Sequence, residues 1–260
     1  MLFNSLYNNV FISEGANNME YGLQLYSVRD SAEKNLEQTV KKVAELGYSS
    51  VEFAGFFGRT PEQIRNMLDE NNIKISGTHS PFEDLVNNFD DTVAFHKAIG
   101  NKNYILPGVD LSSQEKIDYF VKTVGPIVEK LNSHGINFAY HNHHREFFAN
   151  SDGSVPYEQL LYRTNISFEV DTYWAFVGMK NPLELLKRMD GRISFVHIKD
   201  GSAAGHGFPL GMGEAPVKAV WEAVSALKIP MVIESETCNP DGLTEAEICI
   251  KYLKGLENNG

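Results

Sequence analysis

Eight short runs rich in Val, Ile, Phe or Tyr recur from Tyr21 onward, separated by longer stretches of helical period. They are "YGLQLYSV", "SSVEFAGF", "IKISGTHS", "NYILPGV", "INFAYHNH", "ISFEVDTYW", "RISFVHIKD" and "MVIESET". Each is too short for a helix and has the residue types of a buried strand. The intervening stretches "SAEKNLEQTVKKVAELG" and "SSQEKIDYFVKTVGPIVEKLNSHG" carry apolar residues at three-and-four spacing and finish on Gly47 and Gly135, suited to helix C-caps. "TPEQIRNMLDENN" opens with Thr60 at an N-cap and Pro61 at the first helical position. Such alternation requires a parallel sheet with helices outside it. Eight repeats within 260 residues favour a single-domain (β/α)8 barrel over an open doubly wound sheet. No G-x-G-x-x-G follows the first run, which removes the main reason for a dinucleotide-binding sheet.

The segment before Met19, "MLFNSLYNNVFISEGANN", is asparagine-rich and patternless, with neither the basic start nor the apolar centre of a signal peptide. Residues 1–18 are therefore expected to be a poorly structured extension, and residues 19–260 the barrel. No apolar run approaches the ~20 residues of a membrane helix. Apolar residues at 42 % and charged residues at 22 % mark an ordinary globular chain. The formal charge of −11 argues against a nucleic-acid partner, because a phosphate backbone would be repelled. Cys238 and Cys249 have no metal-type spacing, and two reduced thiols fit a cytoplasmic protein.

In a barrel of this kind chemistry gathers where strands end. Polar residues do gather there: Gln24 on the first run, Glu52 on the second, His79 on the third, "YHNH" on the fifth, Asp171 on the sixth, His197 on the seventh and Glu234 on the eighth. The fourth run, "NYILPGV", offers almost nothing. Glu52 reads equally as an inward polar group satisfied by hydrogen bonds or as a functional one. His79 alone would be a core histidine, and Trp174 a pocket wall or plain packing. Lys199 and Asp200 also suit a solvated loop start. Asp171, His197 and Glu234 are harder to explain as structure, since burying a carboxylate costs several kcal/mol without a partner. One metal ion would account for all three. A carboxylate-rich set with one imidazole suits a hard divalent cation, Mn²⁺ first, with Mg²⁺, Co²⁺ or Zn²⁺ as alternatives. Such an ion would polarise a carbonyl and stabilise an enediolate.

The order of "YGLQLYSVRD", "YHNHHREF", "EVDTYW", "FVHIKD", "GMGE" and "VIESE" resembles the xylose isomerase-like TIM barrels, in the branch of sugar phosphate isomerases/epimerases and family 2 AP endonucleases. The resemblance spans nearly all the chain after Met19. It implies a divalent metal held by a glutamate after strand 5, an aspartate on strand 6, a histidine on strand 7 and a glutamate on strand 8. Asp171, His197 and Glu234 match the last three. The strand-5 ligand is expected to be Glu146, with His141 as the fallback. A metal-dependent isomerase or epimerase of a sugar is implied, acting by proton abstraction α to a carbonyl. Lyase, dehydratase or 3-keto-glycoside cleavage chemistry, and a non-catalytic sugar-binding barrel, are the alternatives. Barrels of this group commonly assemble as homo-oligomers.

Strand alternation puts His141 and His143 on one face. His143 is the expected proton-transfer group and Glu234 a second. Lys199 would neutralise an oxyanion. His79, His141, Asn142, Glu52 and Trp174 are the expected substrate contacts. The glycine-rich "GSAAGHGFPLGMG" after strand 7 is expected either to cradle a phosphate or to act as a flexible lid. An abasic-site nuclease is disfavoured by the acidic charge.

Overall fold

A computed structural model describes residues 19–189 and 191–259. The expected extension at residues 1–18 lies outside the described residues. All eight runs form parallel strands: β1 Tyr21–Gln24, β2 Ser50–Ala54, β3 Lys74–His79, β4 Asn103–Leu106, β5 Asn137–His141, β6 Ser167–Asp171, β7 Ile193–Ile198 and β8 Met231–Ile233. They close in sequence order, with β1 paired to both β2 and β8. The fold is a closed (β/α)8 TIM barrel.

Capping residues set where the helices lie. Thr60 and Gln63 form a capping box on helix Pro61–Glu70, satisfying two otherwise orphaned N–H groups. Gly47, at φ 98°, closes helix Leu36–Leu46 in the left-handed region that only glycine adopts freely. The helical run expected from Ser31 is broken. Asn35 takes an extended conformation and accepts from Gln38 N, so it starts Leu36–Leu46 afresh after the short helix Arg29–Ala32.

Strand alternation divides the barrel wall into two faces. Leu23, Phe53, Tyr104, Phe138, Phe168, Val170, Val196 and Ile233 are buried in the apolar core, each contributing about 1.5–3 kcal/mol of burial free energy. The interleaved set is polar: Gln24, Glu52, His79, His141, Glu169, Asp171 and His197. Register pairs Gln24 with Glu52, His141 with Glu169 and Asp171 with His197. A register shift at Val51/Glu52 brings Gly77 opposite Glu52 and His79 opposite Ala54. A Cβ at Gly77 would lie 3.2 Å from Glu52 Oε2. Ile105 Cδ1 would lie closer still, at 2.5 Å, so the glycine makes room for the Ile105 side chain first and for the carboxylate second.

The strands are shorter than the apolar runs because the chain turns as soon as it clears the barrel. After β1, Gln24 accepts from Tyr26 N, and Leu25–Val28 become a 3₁₀ turn. β8 stops at Ile233, leaving Glu234 at the rim.

Candidate metal centre

The upper half of the barrel interior is a network of carboxylates and imidazoles. Glu52 Oε1 accepts from Gln24 Nε2 at 2.6 Å and lies 2.9 Å from His197 Nε2 and 3.1 Å from His79 Nε2. Glu169 Oε2 lies 2.8 Å from His79 Nε2 and 3.1 Å from both His141 Nδ1 and His197 Nε2. Two carboxylates thus hold three imidazoles by one nitrogen each.

The other nitrogens of His141 and His197 turn toward the rim. His197 Nδ1 is 3.3 Å from Glu234 Oε2, and His141 Nε2 is 3.9 Å from Asp171 Oδ2. One donor atom from each of His141, Asp171, His197 and Glu234 lies within 4.8 Å of every other. A second grouping, His79, His141, Glu169 and His197, shares both imidazoles with the first.

The first grouping fits a divalent cation on grounds of its own. Asp171 is fully buried; its Oδ1 accepts from Trp174 N at 2.7 Å, and its Oδ2 has no hydrogen-bond partner. A buried carboxylate oxygen without a partner is costly unless an ion is to take it. Two carboxylates and two imidazoles also match the ligand preferences of Mn²⁺- or Zn²⁺-like ions. Each imidazole is oriented by a carboxylate behind it, as ligating histidines usually are.

Electrostatics follow from burial and crowding. Burial opposes charge on Glu52, but the His79 and His197 imidazoles outweigh it and hold its pKa well below the usual range. Burial opposes a charged His79 too, yet Glu52 and Glu169 raise it to about 10. Asp171 is pushed up to about 7 by burial, only partly offset by Lys199 and His197. His141 is lowered well below 6.5 by burial and by its cationic neighbours.

Above this network opens a cleft of about 420 Å³ walled by Tyr26, His79, His143, Trp174, Glu234 and Glu236. The His143 ring lies 5.0 Å from His141 and 5.9 Å from Trp174. Lys199 is buried beside the cleft, with Nζ 3.0 Å from Glu234 Oε2, 2.5 Å from Glu236 Oε1 and 3.7 Å from Asp171 Oδ2. Its ammonium also sits 4.8 Å over the Trp174 ring.

Several expected site residues are placed elsewhere. Glu146 is outside both groupings: a 3₁₀ turn at Arg145–Phe147 folds it back, so that Tyr140 OH donates to Oε1 at 2.9 Å and His143 N to Oε2 at 3.1 Å. His141 stands among the converging donors instead. Asn142 faces no cleft; its amide exchanges two 3.1 Å hydrogen bonds with the Asp171 backbone, tying β5 to β6. Glu52 is wholly buried and touches other protein groups rather than the cleft. The glycine-rich segment is neither a phosphate cradle nor a loose lid. It forms a ribbon of Asp200–Gly201 against Gly207–Phe208, and the Asp200 carboxylate accepts from the N–H groups of Gly201, Gly211, Gly213 and Ala215. Glu169 and Glu236 carry contacts that the sequence did not single out. For Glu169 a signal was present, since it lies two residues before Asp171 and therefore on the same strand face.

A closed parallel barrel with a buried carboxylate–imidazole cluster at the ends of its strands defines a class of (β/α)8 barrels with a candidate metal site at the barrel mouth. The chain belongs to the xylose isomerase-like TIM barrel family, whose model matches residues 40–254. No curated protein matches it. A sugar phosphate isomerase/epimerase from Parabacteroides distasonis ATCC 8503 superposes with a TM-score of 0.79 at 21 % identity, over 93 % of this chain and 96 % of that one. A probable 3-DHS dehydratase, AsbF, from Bacillus anthracis gives 0.70 at 14 % identity, over 90 % and 99 %. An L-ribulose 3-epimerase gives 0.70 at 14 % identity, over 93 % and 95 %. At these identities the likeness is one of fold. Among the described residues no helix is long and apolar enough to cross a membrane.

Proposed function

We propose that this chain is a metal-dependent isomerase or epimerase that takes a proton from the carbon next to a sugar carbonyl. The observation that carries this reading is the buried Asp171 Oδ2, which accepts no hydrogen bond among the described residues and lies 3.7 Å from Lys199 Nζ and 3.9 Å from His141 Nε2, beside the His197–Glu234 pair. His141, Asp171, His197 and Glu234 would hold one divalent ion, Mn²⁺ by preference. When bound, such an ion supplies Lewis-acid polarisation of a carbonyl and stabilises the charge that develops as the proton leaves.

The chain's own groups do the rest. His143 faces the cleft, its ring making no hydrogen bond among the described residues, and it is the group assigned to accept and return the proton. Lys199, anchored on Glu234 and Glu236, is placed to donate to an oxyanion or hydroxyl. Trp174 and Tyr26 form aromatic walls of the cleft on either side of the reacting sugar. The net charge of −11 and the sugar-enzyme neighbours favour a small neutral substrate over a nucleic acid.

The test is solvent deuterium exchange by NMR, in D₂O with Mn²⁺, across a panel of keto sugars and keto-inositols. The wild type should introduce deuterium next to the carbonyl, and His143→Ala should slow it by about 10²–10⁴-fold. No exchange by the wild type on any substrate would overturn the reading. Exchange accompanied by loss of water or of an aglycone would assign a lyase on the same proton-abstraction step.

A further inference from the structure

The cleft above the cluster is one of two that meet. A side chamber of about 480 Å³ adjoins it, and the two share Pro107 and His143 as common walls. Each volume falls within the ~300–1,000 Å³ span of small-molecule pockets, so the first cleft alone accommodates a single sugar ring. The chamber is built by the segment after β4, a strand that contributes no side chain to the cluster, facing the turn after β5.

Its lining is that of a ring-binding site. Pro107, Val109, Leu111 and Pro156 offer apolar surface, and Arg145 is exposed with no protein partner recorded for its guanidinium. Among the described residues Arg145 is the only lysine or arginine lining the side chamber. It shares the chamber with the carboxylates of Asp110 and Glu146, so the chamber is not cationic and does not suit a phosphate. Apolar faces with a few hydrogen-bonding groups at the edge suit a neutral pyranose or aromatic ring.

We propose that the substrate is a two-ring saccharide whose reducing sugar, able to open to its carbonyl form, lies in the mouth cleft while a neutral second sugar ring occupies the side chamber; an aryl glycoside is a two-ring binding probe that cannot react. This rests on the reading of the mouth as a sugar-carbonyl site. It gives the β4 segment a role in choosing the substrate.

Gly108 provides a direct test. It is exposed on the chamber wall, and a Cβ built there meets nothing within 4 Å, so a large side chain at this position meets no backbone clash and takes up space at the chamber wall. Binding of cellobiose, phenyl β-glucoside, glucose and glucose 6-phosphate would be measured by calorimetry on the Mn²⁺-loaded protein. In the wild type, cellobiose or phenyl β-glucoside should bind about tenfold or more tighter than glucose. Gly108→Phe, and separately Ser112→Trp, should erase that preference with glucose affinity and circular dichroism unchanged. Equal affinity for glucose and both glycosides in the wild type, or a preference that survives both variants, overturns the proposal. So does tightest binding by glucose 6-phosphate with loss in Arg145→Ala. A glycoside preference without deuterium exchange on any substrate would remove the isomerase reading and leave the two-ring site standing. Exchange without the preference would do the reverse.

Discussion

His197 stands between two carboxylates, with Nε2 2.9 Å from Glu52 Oε1 and Nδ1 3.3 Å from Glu234 Oε2. The ring can give Nδ1 to an ion only if Nε2 carries the proton, and Glu52 fixes that tautomer by accepting from it. Partners of this kind behind a ligating histidine typically contribute about 10–100-fold in metal affinity. Glu52→Gln should therefore weaken Mn²⁺ binding by that order in a calorimetric titration, with circular dichroism unchanged. Unaltered affinity would reduce Glu52 to a structural group.

Asp171 divides its two oxygens between fold and ion. Oδ1 caps the helix Thr172–Val177 through Trp174 N, and Oδ2 is left for a cation. A ligand at about 100 times its dissociation constant stabilises the native state by ~2.7 kcal/mol. For a chain of this size that raises the melting temperature by roughly 5–10 °C. Mn²⁺ should produce such a rise in the wild type. Asp171→Asn keeps an oxygen for the cap, so it should melt near the ion-free wild type and show no rise. An equal rise in the variant would place the ion elsewhere.

The barrel was legible because Val-, Ile- and Phe-rich runs alternating with helices require a parallel sheet covered on both sides, and eight of them in a chain of this length favour a closed one. Asp171, His197 and Glu234 stood out because each follows an apolar run. Their convergence depends on register, which no single run encodes: Asp171 pairs with His197 only because of the irregularity at Phe168/Glu169. Glu146 shows the limit most plainly. Its position a few residues past β5 is compatible with reaching the strand ends, but a 3₁₀ turn sends the carboxylate to Tyr140 OH instead. The glycine-rich segment misled for a related reason. Composition alone cannot show that Asp200 gathers backbone N–H groups from along it.

That gathering has a measurable consequence. Asp200 is buried and accepts from four backbone N–H groups at 2.8–3.1 Å. Leaving a buried donor unpaired costs about 1–3 kcal/mol, and these four share one acceptor group. Asp200→Ala should lower stability by roughly 3 kcal/mol and strip hydrogen-exchange protection from the amides of Gly211, Gly213 and Ala215. Exchange rates at those amides that match the wild type would mean that the ribbon is held by other contacts.

His96 links stability to pH independently of the cluster. It is buried against Phe56, Phe95 and Tyr104, and its Nδ1 lies 3.0 Å from Asn101 Nδ2, a donor that requires an unprotonated acceptor. Burial brings its pKa down from 6.5 to about 4. The folded value is below the unfolded one, so as pH falls past 6.5 the unfolded chain takes up the proton first. The contribution to stability is therefore complete above pH 6.5 and is lost progressively as pH falls toward 4, by ~3 kcal/mol in all. Urea unfolding at pH 7.5 and pH 4.5 should show a smaller drop for His96→Phe than for the wild type, by about that amount. Equal drops in the two proteins would mean that the buried ring accepts its proton without unfolding, and that Asn101 turns its amide to accommodate it.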